Sequence, residues 1–509
     1  MPQSTAAPSV AVVPVPAKEA PHAPPRPLAH QPPRRMTALE RVDIAALPID
    51  RFRSVLDAAQ YAELVALAAH ARELLAGRVI WCVNSTAHGG GVAEMLRSLL
   101  AYTRGAGVDT RWQVVTGRPL FFDVTKRLHN RLHGSDGDGG PLGEPERTEY
   151  ESVIAAAAAE FVPLVRPDDV VILHDPQTAG LAAPLRAAGA RVIWRVHVGV
   201  DEPNALVREA WDFLRPYALA ADICVFSRAP FTWTGLESVR VAIIAPSIDV
   251  FSAKNQELDE EATRAILRVA GILPPGPVER AAYVREDGSP GRVDRPAALV
   301  QDAPLTEDDP VVAQVSRWDH LKDPVGVLRA FAAHVDGAHL LLVGPQVDAV
   351  SDDPEGALVL AEVIAARAAL PPAARARVHI ASLPMTDAEE NAAMVNAIQR
   401  HATVVVQKSL AEGFGLTVAE ALWKGRPVVA SAVGGIQDQV QDGIDGFLVD
   451  PTDPVAFGRA VARLLADPAL AERMGRAAEA RVREAFLEPR HLAQWVGLVE
   501  TLPSEALRS

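Results

Sequence analysis

Cysteine and long apolar runs are both scarce in this sequence. Its 509 residues include only two cysteines, Cys82 and Cys224, each inside an apolar run. Two such thiols exclude a disulfide framework and a thiolate metal site, so we expect both to be reduced core residues. No apolar run approaches the roughly 18 residues that a membrane-spanning helix requires. The first 30 residues lack the basic start and apolar centre of a signal peptide. These absences predict a cytoplasmic protein with no membrane partner.

Basic residues are in the minority as well. Lys and Arg total 50 against 64 Asp and Glu, which leaves a formal net charge of −14. Proteins that bind nucleic acids or anionic membranes usually concentrate basic residues on one face. The charge balance therefore argues against both partners, and any anionic ligand must meet local positive groups.

Apolar residues, in contrast, are plentiful enough for more than one core. They make up 49 % of a chain that exceeds the size of a single-core domain. Residues 1–36 are dominated by Pro, Ala and Val, which predicts a disordered tail. Helical spacing then predicts a helix at 57–76, and the apolar run 78–84 predicts a first strand.

Strands and helices alternate through both halves of the remaining chain. In the first half we predict strands at 111–115, 170–174, 191–196 and 222–226, and helices at 92–104, 149–165 and 203–220. In the second half we predict strands at 311–316, 338–344, 377–382, 403–407 and 427–431. This rhythm predicts an α/β fold with two doubly wound parallel sheets, helices on both faces and a ligand cleft at the carboxyl ends of the strands.

A stretch rich in Pro and Gly separates the two halves. Residues 272–309 are polar and break the alternation, so we predict an interdomain linker with a mobile insertion there. The predicted division is an N-terminal domain at 37–271, a C-terminal domain at 310–488, and a final helix and tail at 489–509.

The first motif is a glycine turn in NSTAHGGGVAEML (84–96), between a predicted strand and a predicted helix. Gly89, Gly90 and Gly91 would let the backbone approach a ligand closely, and the amides of the following helix favour a phosphate. A tight strand-to-helix turn without a ligand explains the run equally well if it stands alone.

The second motif, SRWDHLKDP (316–324), also follows a strand. Arg317 can bond two phosphate oxygens at once, and Lys322, five residues later, supplies a mobile positive charge. A solvated charged loop is the alternative reading.

The third motif, KSLAEGFGLTVAEALWKGRPVVAS (408–431), is the most specific. Seven residues separate Glu412 from Glu420, and a Gly-Phe-Gly loop lies between them. Such a loop presents amides to a diphosphate or sugar, and the two carboxylates can accept hydrogen bonds from vicinal hydroxyls. Alone, Glu412 would be an ordinary acid at a helix start.

Several histidines in the first half raise the question of a metal. His129 and His133 are four residues apart on one predicted helix face, but the glutamate of the HExxH zinc signature is missing. No acidic or Cys partner is spaced to complete a site with His174 or His197. We predict no structural or catalytic metal.

Together, the three motifs resemble those of the retaining GT-B glycosyltransferases of the glycogen-synthase-like superfamily, also called glycosyltransferase group 1. The resemblance extends over about residues 57–500, except for the segment 272–309. Within that superfamily, other stretches resemble the trehalose glycosyltransferring synthases: VNSTAHGGGVAEML, DTRWQVVTG, FFDVTKRLHNRLHG, ILHDPQTAGL, WRVHVGVDEPN, SIDVFSAKN and QVSRWDHLKDP. The resemblance implies two Rossmann-like domains, an N-terminal one on the acceptor side and a C-terminal one on the nucleotide-sugar side. It also implies transfer of glucose from a nucleoside diphosphate glucose to free glucose, which gives α,α-trehalose.

The same resemblance implies roles for individual residues. Arg317 and Lys322 match the pair that neutralises the leaving diphosphate, to which the amides of Gly90 and Gly91 add. Glu412 and the amides of Gly413, Phe414, Gly415 and Leu416 match the donor-glucose site, Glu420 matches the ribose-binding carboxylate, and His197 matches a histidine that contacts the donor sugar. In HDPQ (174–177), Asp175 and Gln177 are candidates for binding acceptor glucose, although an Asp-Pro turn without a ligand is the competing interpretation.

The resemblance implies small-molecule substrates and no cofactor beyond the sugar nucleotide. A homodimer would be the commonest closed assembly. Two alternatives stay open: a trehalose phosphorylase, in which inorganic phosphate replaces the nucleotide, and a non-catalytic sugar-nucleotide sensor.

Overall fold

The computed structural model describes residues 37–87, 90–347 and 354–502. The predicted tail at 1–36, Gly89 of the glycine turn and the end of the chain from 503 lie outside the described residues. The described residues from 38 onward belong to one compact unit. None of the helices in the described part of the chain is both long and apolar enough to cross a membrane.

Two seven-stranded sheets organise the described residues. The strands are β1 (Leu39–Val42), β2 (Ile80–Asn84), β3 (Thr110–Val115), β4 (Val170–His174), β5 (Arg191–Val196), β6 (Ile223–Phe226), β7 (Arg240–Ile243), β8 (Ala282–Val284), β9 (Pro290–Arg292), β10 (Ala298–Val300), β11 (Val311–Val315), β12 (His339–Pro345), β13 (Val378–Leu383), β14 (Val404–Gln407), β15 (Val428–Ser431) and β16 (Gly446–Val449).

The helices that connect and cover these strands are α1 (Ala58–Leu74), α2 (Gly91–Gly105), α3 (Pro119–Leu132), α4 (Glu144–Phe161), α5 (Ala182–Ala187), α6 (Ala205–Ala218), α7 (Glu260–Val269), α8 (Pro324–His334), α9 (Pro354–Ala368), α10 (Pro372–Arg375), α11 (Ala388–His401), α12 (Leu416–Trp423), α13 (Ile436–Gln439), α14 (Pro454–Ala466), α15 (Pro468–Ala485) and α16 (Glu488–Glu500). Helix α4 begins earlier than the predicted 149, because Glu146 accepts a hydrogen bond from the Gly143 amide and fixes the start there.

The first sheet has the strand order β1-β3-β2-β4-β5-β6-β7. Strands β2 to β7 run parallel, and β1 joins the edge antiparallel to β3. Every residue of β4 and of β5 is buried, as expected for parallel strands that are covered on both faces. We call this sheet with its helices the first lobe.

The second sheet repeats the plan with the order β10-β13-β12-β11-β14-β15-β16. Its strands are parallel except for β10, which pairs antiparallel with β13. This second lobe and the first confirm the predicted α/β fold of two doubly wound sheets, each with one added antiparallel edge strand.

The segment at 272–309 differs from the predicted linker and mobile insertion. Ile272, Leu273, Val293 and Leu305 are each at most 1 % exposed and belong to the core of the second lobe. Strands β8 and β9 form a hairpin in this segment, and β10 extends the second sheet. Apart from the adjacent pair Ile272 and Leu273, these buried residues stand alone among polar residues, Pro and Gly, so their burial depends on tertiary contacts that composition does not show.

The chain crosses between the lobes twice, and the two crossings lie side by side. Ile248 donates its amide hydrogen to the carbonyl oxygen of Phe486 over 3.0 Å, and Ser247 Oγ lies 2.8 Å from His491 Nδ1. After the second crossing, α16 packs against α1 and α2, and Leu498 enters the core of the first lobe. Helix α16 therefore belongs to the first lobe, although it follows the second lobe in the chain.

Candidate active site

The sequence motifs all follow strands at the carboxyl edges of the two sheets. The glycine turn follows β2, His197 follows β5, Arg317 follows β11, and Glu412 follows β14. Because ligands of open α/β sheets bind at this edge, each lobe directs its motifs to the place where a ligand is expected.

Two close approaches bring the motifs of the two lobes together. A β-carbon on Gly91 would lie 2.7 Å from Cδ1 of Leu416, and a β-carbon on Gly413 would lie 2.9 Å from the carbonyl oxygen of His197. Real β-carbons do not approach a backbone atom so closely, so the Gly413 contact depends on glycine, whereas the Leu416 side chain could move away from a β-carbon on Gly91. The glycine turn and His197 of the first lobe thus face the Glu412–Leu416 loop of the second lobe.

Lys322 and Glu412 form an ion pair at the centre of this region. Nζ of Lys322 donates to Oε2 of Glu412 over 2.5 Å, and Ser409 Oγ donates to the same oxygen over 3.2 Å. The two charged side chains are only 16 % and 12 % exposed. Charge-assisted bonds that are shielded from water are strong, so Glu412 is held in one place with its other carboxylate oxygen outside the pair.

Arg317 is the more exposed member of the positive pair. Its Nη2 donates to Oδ2 of Asp319 over 2.8 Å, and Oδ1 of Asp319 accepts from the Leu321 amide over 2.8 Å. The guanidinium side chain is 60 % exposed. Asp319 therefore orients Arg317 and also shapes the turn that carries Lys322.

The Glu412–Leu416 loop ends in a left-handed glycine. Gly415 has a φ of +87° and stands before the first turn of α12, a conformation that other residues adopt only with strain. Neither Gly415 nor Gly90, the corresponding residue before α2, caps its helix with a side chain. No side chain of these N-cap residues therefore occupies the first amides of either helix.

A second glycine pair, which the sequence reasoning missed, supports this loop. The Gly435 amide donates to the carbonyl oxygen of Gly413 over 3.1 Å. A β-carbon on Gly434 would lie 1.7 Å from the carbonyl oxygen of Glu412. The sequence signal that could have found them is a glycine pair shortly after the strand β15, a pattern that the first motif shares.

Glu420 lies behind the loop, buried to 1 % exposure. Lys254 Nζ lies 3.5 Å from its Oε1 and 2.7 Å from Oε2 of Glu94. Burial raises the pKa of Glu420, while the positive charge of Lys254 opposes that shift. Oε2 of Glu420 is enclosed and has no hydrogen-bond partner within the described residues.

His197 belongs to a buried polar group at the ends of β4 and β5. Its Nε2 lies 3.0 Å from Nδ1 of His174, and its amide donates to Oδ1 of Asp175 over 2.8 Å. Burial lowers the pKa of both histidines and raises the pKa of Asp175 to about 7. Asp175 has a φ of +62°, and Gln177 follows in the same turn. Two neutral imidazoles and a carboxyl group can exchange single hydrogen bonds with sugar hydroxyls.

The histidine pair at the end of α3, His129 and His133, faces the same cleft. Cε1 of His133 is 3.9 Å from the position of a β-carbon on Gly413. Burial, followed by the charges of Lys322 and Arg317, lowers the pKa of His133 to about 3. Its Nδ1 is enclosed and has no hydrogen-bond partner in the described part of the chain. The sequence reasoning weighed this pair only as a metal site, and the described residues hold no group of three or more His, Cys, Asp or Glu side chains that could bind a metal ion.

Comparison with known proteins first defines the class. Residues 376–481 match the family of glycosyl transferases group 1. A solved α,α-trehalose-phosphate synthase (UDP-forming) from Burkholderia vietnamiensis has the same fold, with a TM-score of 0.61 at 16 % identity over 84 % of this chain and 98 % of that one. The chain is a glycosyltransferase with the GT-B fold.

The particular family follows from the rest of the chain. Residues 82–233 match the N-terminal domain of trehalose synthase. A trehalose synthase from Rubrobacter xylanophilus is 36 % identical over 464 residues, which cover 89 % of this chain and 97 % of that protein. One from Pyrococcus horikoshii is 33 % identical over 433 residues, with 84 % and 91 % covered. The chain therefore belongs to the trehalose synthase family.

Proposed function

We propose that this protein transfers glucose from a nucleoside diphosphate glucose to the anomeric hydroxyl of free glucose and forms α,α-trehalose, reversibly and with retention of the donor configuration. The observation that carries the proposal is the assembly of one site from both lobes. The Lys322–Glu412 ion pair and the Glu412–Leu416 loop lie against His197 and the glycine turn.

The leaving diphosphate is bound by positive and amide groups. Arg317 and Lys322 neutralise the charge that develops on its oxygens, and the uncapped amides after Gly90 and Gly415 add hydrogen bonds. Preorganised groups of this kind stabilise a transition state because they need not reorient during the reaction. The proposal requires no metal and no cofactor other than the donor.

The sugar and ribose are held by the two glutamates. Glu412, fixed by Lys322 and Ser409, accepts hydrogen bonds from donor glucose, and the free Oε2 of Glu420 accepts one from ribose. The bond between the anomeric carbon and the phosphate oxygen breaks as the acceptor hydroxyl attacks from the same face. The departing phosphate oxygen takes the acceptor proton, so neither glutamate acts as a nucleophile.

The first lobe supplies the groups for the acceptor side. His197 contacts the donor sugar, and Asp175 and Gln177 bind acceptor glucose. Enclosure keeps His174 and His197 neutral, so they offer directional hydrogen bonds rather than charge. The first-lobe side of the site therefore suits uncharged sugars, and the second-lobe side, which holds Arg317 and Lys322, suits anionic groups.

The test is product formation from purified protein without added metal. Glucose is mixed with ADP-glucose, UDP-glucose or GDP-glucose in separate reactions, and trehalose is identified by digestion with trehalase. A parallel set with glucose 6-phosphate as acceptor distinguishes free glucose from its phosphate ester. Trehalose from glucose and at least one donor is the expected result, and the productive donor identifies the base.

Two results would contradict the proposal. Glucose 1-phosphate formed from trehalose and inorganic phosphate, with no product from any sugar nucleotide, would assign the site to phosphorolysis. Tight binding of a sugar nucleotide without turnover for any acceptor would make the protein a sensor.

A further inference from the structure

One arginine of the first lobe reaches across the cleft to the second lobe. Arg228 follows strand β6, and its Nη1 donates to Oδ1 of Asp201 in its own lobe over 2.7 Å. The same nitrogen donates to the carbonyl oxygen of Gly434 in the second lobe, and Nε lies 3.0 Å from Oδ2 of Asp438 there. The arginine side chain is only 10 % exposed. Arg228 thus links a carboxylate of one lobe to a carboxylate and a carbonyl of the other.

Asp201 strengthens this link with its second oxygen. Nε2 of Gln437 in the second lobe donates to Oδ2 of Asp201 over 2.7 Å. We call these five residues the Arg228 cluster: Asp201, Arg228, Gly434, Gln437 and Asp438. Without the arginine, Asp201 and Asp438 would leave two negative charges facing each other across the interface, which disfavours contact between the lobes.

The second-lobe side of the cluster carries the Glu412–Leu416 loop. Gly434 lies against the Glu412 carbonyl, and the Gly435 amide bonds to the Gly413 carbonyl over 3.1 Å. Nε2 of Gln439 donates to the carbonyl oxygen of Phe414. A bond from Arg228 to Gly434 therefore acts on the backbone that positions Glu412.

We propose that Arg228 is a positioning residue that holds the two lobes closed and fixes the Glu412–Leu416 loop against His197. The closure itself depends only on the contacts of the Arg228 cluster, whereas its effect on turnover rests on the proposed function. Because a partly populated closed state weakens apparent binding by its fractional population, loss of Arg228 raises the donor KM.

The closure is measured by distances between spin labels on the full chain. Both native cysteines are buried, so labels attach to introduced thiols at Ala156→Cys on α4 and Ala361→Cys on α9, two exposed helical positions in different lobes. Distance distributions are compared for the parent, Arg228→Ala and Arg228→Lys. The matched control is Arg186→Ala, because Arg186 pairs with Asp222 over 3.1 Å within the first lobe.

Arg228→Ala should shift and broaden the distance distribution without ligand, Arg228→Lys should do so less, and Arg186→Ala should match the parent. In the transfer assay, Arg228→Ala should raise the donor KM about tenfold to about hundredfold, or about 1.4 to 2.8 kcal/mol, with a smaller change in kcat. If Arg228→Ala does not fold, Asp438→Asn, which keeps the shape of the side chain, is measured instead.

Two outcomes would overturn the inference. A distance distribution equal to that of the control would refute closure by Arg228, whether or not the protein makes trehalose. A shifted distribution with an unchanged donor KM would refute the positioning role. Absence of any transfer activity in the parent would contradict the proposed function, and the distances would still decide the closure.

Discussion

Replacement of Gly434 by alanine tests whether the second glycine pair supports the candidate site. The control is Gly443→Ala, because both glycines have positive φ angles, +48° and +77°. A β-carbon on Gly434 would lie 1.7 Å from the Glu412 carbonyl oxygen, whereas no atom lies within 4 Å of one on Gly443. The two variants therefore share the backbone strain and differ in the clash.

The shared strain of a left-handed alanine costs about 1 to 2 kcal/mol. Overpacking at a rigid backbone contact costs about 1 to 3 kcal/mol more, so Gly434→Ala should lose about 2 to 5 kcal/mol of unfolding free energy and Gly443→Ala only the first part. Because a misplacement of about 1 Å in a site can cost about 100-fold in rate, Gly434→Ala should also lower kcat/KM at least about tenfold. Urea unfolding followed by circular dichroism and the trehalose assay measure both. Equal losses in the two variants would refute the reasoning.

Three further predictions concern charged groups of the site. Lys322→Ala should lower kcat by about 100-fold to about 1000-fold, as expected for a preorganised group beside the charge of the leaving diphosphate. The control is Lys126→Ala, an exposed lysine, whose kcat should stay near that of the parent. An unchanged kcat with a higher glucose KM would contradict the role of Lys322. Glu420→Gln should raise the donor KM more than the glucose KM in steady-state kinetics, because it weakens a ribose contact and removes one of the two carboxylates beside Lys254; equal effects on both KM values would oppose the assignment. Burial raises the pKa of Asp175 to about 7. Because the unfolded chain loses this proton at lower pH than the folded chain, the free energy of unfolding should fall as pH rises from about 4 to 7. Urea unfolding at several pH values should show a flatter fall for Asp175→Asn, and an unchanged slope would refute this role of the carboxyl group.

The regular core was predictable from the sequence because parallel strands buried on both faces are continuous apolar runs. The predicted strands at 170–174 and 191–196 are confirmed by β4 and β5. The core position of the segment 272–309 was not predictable, because its buried residues are few and stand among Pro, Gly and charged residues. Their burial depends on tertiary contacts within the second lobe, which a local pattern does not show.

The same contrast holds for the candidate site. Glu412, Lys322 and the glycine turn stand in short motifs directly after strands, so the sequence marks them. Lys254 and Arg228 act through contacts more than 100 residues away along the chain, and no spacing rule connects such partners. The roles assigned to the motif residues remain predictions that the kinetic experiments above can test.

The return of α16 to the first lobe has a consequence for the integrity of that lobe. Leu498, Val499 and Leu502 share one core with Ala71 and Cys82, so residues more than 400 positions apart in the chain fill the same interior. Although α16 follows the second lobe in the sequence, a proteolytic cut between α15 and α16 should therefore destabilise the first lobe.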